Sequence, residues 1–319
     1  MQAFQQDIDE RTNLTRSNKL ELLLFRLGSD AQLKHTELFG INVFKVREII
    51  PMSEITAVAG SPPNMLGVIN LRGQILPVID LPAVTGCIPE TGLNILLITE
   101  YARSTQAFAV ETVEDIVRLD WQQVLSAENN GGSGMVTSIA RLDGENSKRL
   151  AQVLDVETIL RKVMPSNELT VDPDRIGPKV ILKPGTVILA ADDSLVARSM
   201  IEEGLSALDL PYLMCKTGKE AWDQLQAISD KAQAEGKTVQ DKIALVLTDL
   251  EMPEMDGFTL TRNIKKDPRF SMIPVVIHSS LTGAANEAHV KEAGADAYVP
   301  KFVAEELMNA LRQVLYTVH

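Results

Sequence analysis

From Gly185 to its end the chain alternates short apolar runs with stretches of helical spacing, and no other feature restricts the fold so tightly. TVILAA, IALVLTD, IPVVIHSS and AYVPK are runs of strand length rich in Val, Ile and Leu. Between them, SLVARSMIEEGLSALD sets Val196, Met200, Ile201 and Leu205 on one side of a helix. The spacing predicts a second helix around 219–234, further helices at LTRNIKKD and ANEAHVKEAGA, and a closing amphipathic helix at VAEELMNALRQVLYTV. Strand–helix alternation implies a parallel sheet with helices on both faces, because a parallel crossover needs a long connection that packs back on the sheet. Ligands then bind outside the carboxyl ends of the strands.

Those ends carry the chemistry. Asp192 and Asp193 end the first run, Asp249 ends the middle one, and Ser279 and Lys301 end the last two. Each has an ordinary reading alone: a helix N-cap for the Asp-Asp pair, a turn residue for Asp249 and Ser279, a solvated charge for Lys301. Together, in a sheet whose strand ends converge, they place three carboxylates in one small site. Carboxylates at close range repel unless a cation neutralises them. A hard divalent ion such as Mg²⁺ does so through oxygen ligands, and Lys301 adds one more positive charge. This is the charge pattern of a phosphoryl site: a carboxylate acceptor, a cation against developing oxygen charge, and a lysine and hydroxyl for the remaining oxygens.

Composition narrows the partners. The 319 residues suggest about two domains. The net charge of −12, with no Lys/Arg run, excludes the usual electrostatic footprint of nucleic-acid or anionic-membrane binding. The two cysteines, Cys87 and Cys215, make neither a disulfide framework nor a metal motif, which fits a reducing cytoplasm. The four histidines lie at no ligand spacing. The polar, acidic start MQAFQQDIDERTN is not a signal peptide, and no apolar run reaches the ~18 residues of a membrane helix.

The first half has a different texture. LELLLFRL, HTELFGI, QILPVIDL, NILLITE, QAFAVETVEDIVRL and MVTSIARLD are β-type runs separated by turn formers such as GSD, SPPN and ENNGGSG. Short strands at even spacing point to a sandwich or small barrels. No nucleophile–base pair or phosphate-binding glycine loop is present, so a binding module is expected. Four prolines at 165, 173, 178 and 184 mark a stiff linker. The expected divisions are an N-terminal segment 1–17, a β-type domain 18–164, the linker 165–185 and a second domain 186–319.

On VILAADD, TDLEMPEMDG, PVVIHSS and GADAYVPK, residues 186–319 resemble the receiver domain of two-component response regulators. The resemblance implies a flavodoxin-like α/β domain with a five-stranded parallel sheet and Asp249 as phosphoacceptor. It implies Mg²⁺ held by Asp192, Asp193, Asp249 and the backbone carbonyl of Glu251. Ser279 and Lys301 would contact the phosphoryl group, and Tyr298 would be the switch aromatic. Two departures stand out. Phe302, not proline, follows Lys301, which puts the loop geometry there in question; and an acid, Glu251, lies two residues past the acceptor, where it is expected to alter phosphoryl lifetime.

On LLLFRLG, INVFKVREII and PPNMLGVINLRGQILPVIDL, the first half resembles the CheW family of chemotaxis coupling proteins. That implies an all-β domain of two SH3-like β-barrels whose partners are the histidine kinase CheA and the cytoplasmic tip of chemoreceptors. Val46, Glu48, Ile49 and Gly67 fall at the family's kinase contact. Arg72 falls on its central arginine, bound to Glu48 and either orienting the interface or bracing the barrel. The joined layout resembles the CheV family. It implies a cytoplasmic, non-enzymatic adapter recruited to receptor arrays, with no nucleic-acid partner and no membrane insertion. A phosphate sink with constitutive coupling is the alternative. A metal-dependent phosphatase is the third reading; such enzymes use a second aspartate where this chain has Glu251, and no substrate cap is evident.

Overall fold

The structure, a computed structural model, describes residues 19–30, 35–101, 104–127, 134–144, 148–164, 180–279, 290–301 and 304–317. The readings for 1–17, for most of the linker, for ANEAHVKEAGA ahead of Val290 and for Phe302 lie outside these residues. The chain falls into two compact units, one within Lys19–Asn167 and the other within Glu168–His319.

The first unit is built on β1 (Lys19–Arg26), β2 (Ser29–Asp30), β3 (Leu38–Asn42), β4 (Val46–Pro51), β5 (Met65–Leu71), β6 (Gln74–Asp80), a short α1 (Leu81–Thr85) and β7 (Cys87–Ile88). It continues with β8 (Ile95–Tyr101), β9 (Ser104–Val110), β10 (Thr112–Asp120), β11 (Val124–Ser126), β12 (Val136–Arg141), β13 (Leu150–Leu154) and α2 (Val156–Val163). Two sheets result, ordered β10-β1-β3-β13-β12-β11 and β4-β8-β9-β6-β5. Each packs one of its own faces into its own core, which is what a sheet closed on itself does. In the six-stranded sheet Leu20, Leu22, Leu24, Leu38, Leu119, Val124 and Val153 share one cluster. In the five-stranded sheet Ile69, Leu76, Val78, Leu96, Ile98 and Ala107 share another.

Closure is visible at the edges. The outer strands β10 and β11 of the first barrel are joined by a single 3₁₀ turn, Trp121–Gln123. In the second, the segment after β4 bridges β5 between Thr56 and Val68, and Arg72, in the turn after β5, pairs with Glu48 of β4. The run QAFAVETVEDIVRL, read from sequence as one strand, is two: β9 and β10 serve different sheets, divided at Glu111. Nothing at Val110–Thr112 signals a turn. The division is fixed instead by the buried Glu111 carboxylate, which accepts the Glu90 and Thr91 backbone N–H groups at 2.9 and 2.6 Å.

The second unit comprises β14 (Val187–Ala191), α3 (Leu195–Ala207), β15 (Tyr212–Cys215), α4 (Gly218–Ala234), β16 (Ile243–Thr248), α5 (Gly257–Lys266), β17 (Val275–Ser279), β18 (Ala297–Pro300) and α6 (Ala304–Thr317). The sheet is wholly parallel, in the order β15-β14-β16-β17-β18. Side chains alternate across it. Ile188, Ala190, Leu245, Leu247 and Val276 face α3 and α6. Leu189, Ala191, Val246 and Val275 face α4 and α5. Both faces are therefore covered, which is why the strands read as unbroken apolar runs. The end of the linker is part of this domain, since Val180 is buried in the α3/α6 core and Lys183 pairs with Asp241 at 2.5 Å. The strand order reverses at β14, between β15 and β16, and opens a crevice beyond their carboxyl ends.

Candidate functional site

That crevice holds the acids. β14 ends at Ala191, so the next two residues, Asp192 and Asp193, turn out of the sheet ahead of α3, whose N-cap is Ser194. β16 ends at Thr248 and delivers Asp249 beside them, with the Asp249 N–H bonded to the Ala191 carbonyl at 2.9 Å. One carboxylate oxygen from each of Asp192, Asp193 and Asp249 lies within 4.8 Å of the others. Asp192 and Asp249 are buried.

Lys301, at the end of β18, is only 1% exposed. Its ammonium lies 2.8 Å from Asp192 Oδ2 and 3.1 Å from Asp249 Oδ2. Burying an ammonium costs several kcal/mol unless charge and hydrogen bonds compensate, so the acid cluster is what keeps Lys301 here. The other oxygens are also fixed. Asp192 Oδ1 accepts the Ser194 N–H at 3.0 Å, and Asp249 Oδ1 accepts the Leu250 N–H at 2.7 Å.

The acceptor loop is held from behind. The Thr248 hydroxyl donates to the Asp249 carbonyl at 2.9 Å, and the Gly257 N–H donates to the Leu250 carbonyl at 2.9 Å. A Cβ on Gly257 would stand 2.0 Å from the Asp249 carbonyl oxygen, so only glycine admits this approach.

Ser279 is fully buried at the end of β17, and its carbonyl accepts the Lys301 N–H at 2.8 Å. Tyr298 packs, half-buried, against Leu250, Ile277 and Val290. Glu251 is half-buried, two residues past Asp249. Three carboxylate oxygen donors within 4.8 Å of one another, against one ammonium, fit the donor set of a hard divalent cation.

Two residues here escape the sequence reading. Arg198, buried in the first turns of α3, donates from Nη1 to the carbonyls of Asp192 and Asp193 at 3.0 and 2.8 Å. Its signal is a cation near a helix N-terminus, where the dipole disfavours one. His278 is buried on β17, next to Ser279, with Nδ1 lacking a hydrogen-bond partner. Burial, and then the charge of Lys301, push its imidazole down to about 3. Burial, and then Glu220, likewise push the Cys215 thiol up to about 12, which removes it as a nucleophile at neutral pH.

In the β unit, Arg72 Nη2 donates to Glu48 Oε2 at 2.8 Å. Arg72 occupies a two-residue turn between Leu71 and Gln74, with φ +51° at Arg72 and +89° at Gly73. This is the twist a tight hairpin needs, and an arginine is a poor residue for it. The Arg72 side chain is 74% exposed, so the pair offers a guanidinium face to solvent as well as a brace across the barrel. Ile49, the residue after Glu48 on β4, is half-buried. Val46 and Gly67 are buried. At Gly67, φ is +143° and a Cβ would stand 2.3 Å from the Thr56 carbonyl oxygen, so this glycine has a backbone reason to be there. Among the described residues no helix is long and apolar enough to cross a membrane.

Comparison with known proteins gives the same division. The CheW-like domain family matches residues 21–164, and the response regulator receiver domain family matches 188–312. The chemotaxis protein CheV2 of Helicobacter pylori is 30% identical over 97% of this chain and 99% of its own. CheV3 of the same organism is 31% identical over 96% of this chain and 98% of its own. Among solved structures, the scaffolding protein TtCheW from Thermoanaerobacter tengcongensis is similar at 24% identity, with a TM-score of 0.38 over 46% of this chain and 94% of that one.

Proposed function

The chain belongs to the CheV family of chemotaxis proteins, a CheW-like domain joined to a receiver domain, and from that premise we propose an adapter switched by phosphorylation. The CheW-like half joins chemoreceptors to the histidine kinase CheA through the Val46–Ile49 strand and the Arg72 turn. The receiver half takes a phosphoryl group on Asp249 and changes that coupling. The protein turns over no substrate of its own. The observation that carries the reading is the Asp192–Lys301–Asp249 cluster, buried at the crevice of a parallel sheet, on the same chain as a coupling domain.

In the transfer, an Asp249 carboxylate oxygen attacks the phosphorus of a kinase phosphohistidine as the P–N bond breaks, and the imidazole leaves. Asp192, Asp193, Asp249 and the Glu251 carbonyl would hold Mg²⁺, which supplies charge neutralisation on the phosphoryl oxygens. Lys301 already lies 3.1 Å from the acceptor carboxylate and is placed to follow the incoming charge. The Leu250 N–H at Asp249 Oδ1 fixes which oxygen stays bound and which is presented. The new charge draws the Ser279 hydroxyl and Lys301 inward, and the Tyr298 surface changes as a result. Only a surface that binds differently in the two states can shift an equilibrium, so a partner or the coupling domain must read that change.

The test is binding to receptor–kinase complexes with and without beryllofluoride and Mg²⁺, using Asp249→Ala as control. The expected result is a change in affinity or kinase output in the wild type alone. Unchanged coupling with an occupied site means that the receiver is a phosphate sink.

Glu251 sets a second expectation. A carboxylate two residues past the acceptor can take a proton from the water that hydrolyses the acyl phosphate. Glu251→Asn should slow loss of the phosphoryl group by roughly three- to tenfold, well below the range of a fully positioned base. Equal decay rates, followed with a radiolabelled phosphoryl group, remove Glu251 from the mechanism.

A further inference from the structure

We propose that Arg198 is a positioning residue that sets the Asp192–Asp193 turn for a divalent cation, an inference that rests on the phosphoryl-site reading above. The two carbonyls it binds fall between β14 and α3, in the turn that carries the Asp192 and Asp193 side chains. Buried carbonyls need donors, and a side chain can supply them. Arg198 does so with a single nitrogen, at 3.0 Å to Asp192 O and 2.8 Å to Asp193 O. These are the backbones of the two residues whose side chains face the cation site. Helical side chains lean toward the N-terminus, and this carries the guanidinium back from position 198 to the turn.

The placement is unfavourable by ordinary rules. A cation in the first turns of a helix opposes the macrodipole, and Arg198 is only 6% exposed. The acidic cluster offsets both. Against three carboxylates the chain itself sets two buried cations, Lys301 and Arg198, with distinct jobs. Lys301 touches the carboxylates and is placed to follow a phosphoryl group. Arg198 donates to the backbone of the turn, so it can hold the ligand frame while Lys301 moves. With Ser194 N–H and Lys301 on the two Asp192 oxygens, the turn is fixed from three sides.

The test is calorimetric titration of Mg²⁺ into the full-length chain and into Arg198→Lys and Arg198→Met, with thermal unfolding recorded in the absence of metal. Lysine keeps the charge but ends about one bond short and carries a more strongly hydrated head, so it cannot reach both carbonyls from the same helix position. Supporting groups around metal ligands typically set metal affinity by about 10–100-fold. The expected result is a Kd for Mg²⁺ weaker by about tenfold in Arg198→Lys, with cooperative unfolding retained. A merely structural arginine would lower the unfolding temperature and leave the Kd unmoved. Wild-type affinity in Arg198→Lys overturns the inference, whatever the methionine variant does. A wild-type chain that binds no Mg²⁺ overturns the phosphoryl-site reading together with it, so the two failures are distinguishable.

Discussion

Lys301→Met should cost the receiver domain on the order of 3–5 kcal/mol of stability in metal-free buffer, the usual penalty for removing one partner of a buried ion pair. The cause is specific. Lys301 is the ammonium between Asp192 and Asp249, at 2.8 and 3.1 Å, and both carboxylates are buried. Methionine fills similar volume without charge, so packing changes little and the loss reports electrostatics. Two consequences separate this from a generic core defect. Saturating Mg²⁺ should restore much of the loss in the variant, because a cation bound only to the folded state stabilises it and the variant has more uncompensated charge to offer. Adding Asp249→Asn should recover part of it as well, since the cycle then removes both members of one pair. Urea unfolding of the four proteins, with and without Mg²⁺, makes the measurement. A loss below about 1 kcal/mol, the level of an exposed pair, overturns the account of Lys301. Phosphoryl transfer to Asp249 should also fail in the variant, because nothing then follows the charge that arrives there.

The receiver site was legible because its signal is a break in a pattern. A strand buried on both faces reads as continuous Val, Ile and Leu, so Asp192, Asp249 and Lys301 stand out where the apolar runs stop. Parallel topology then does the rest, since it gathers all such ends on one side. What was missed shares the opposite property. β15 has only four residues, YLMC, and lies at the sheet edge, half-exposed over its first three, so its run is too short to declare itself. The boundary between β9 and β10 has no glycine or proline to mark it. Arg198 works through hydrogen bonds to backbone carbonyls, which leave no trace in side-chain spacing. In the first half the residues alone supported only a β-rich binding module. The pairing of Arg72 with Glu48 came from resemblance to the CheW family, because a single arginine and a distant glutamate carry no spacing that demands contact. Gly67, expected on the same grounds at a partner surface, turns out to be buried under the Thr56 carbonyl.

His278 should make the receiver domain acid-sensitive with a slope that one substitution removes. The side chain is buried on β17 with Nδ1 unpartnered, and burial followed by the Lys301 charge pushes its imidazole down to about 3. An unfolded histidine titrates near 6.5. At neutral pH both states hold the neutral ring, so the stabilisation is fully present. As pH falls below about 6.5 the unfolded chain takes up a proton that the folded chain refuses, and stability falls by about 1.4 kcal/mol per pH unit until the folded value is reached. Asp256 works in the opposite sense, since burial raises its carboxyl above 3.8 and its contribution is favoured by acid. The wild-type curve therefore sums both, and the informative quantity is the difference from His278→Leu, which keeps the bulk and deletes the titration. Chemical unfolding at about pH 7 and about pH 5 should show the wild type losing roughly 2 kcal/mol more than the variant. The same difference at both pH values would mean that the folded imidazole protonates freely. His278 would then have to find a partner for its second N–H beside Lys301, and the tight packing of β17 against α6 would have to open to supply one.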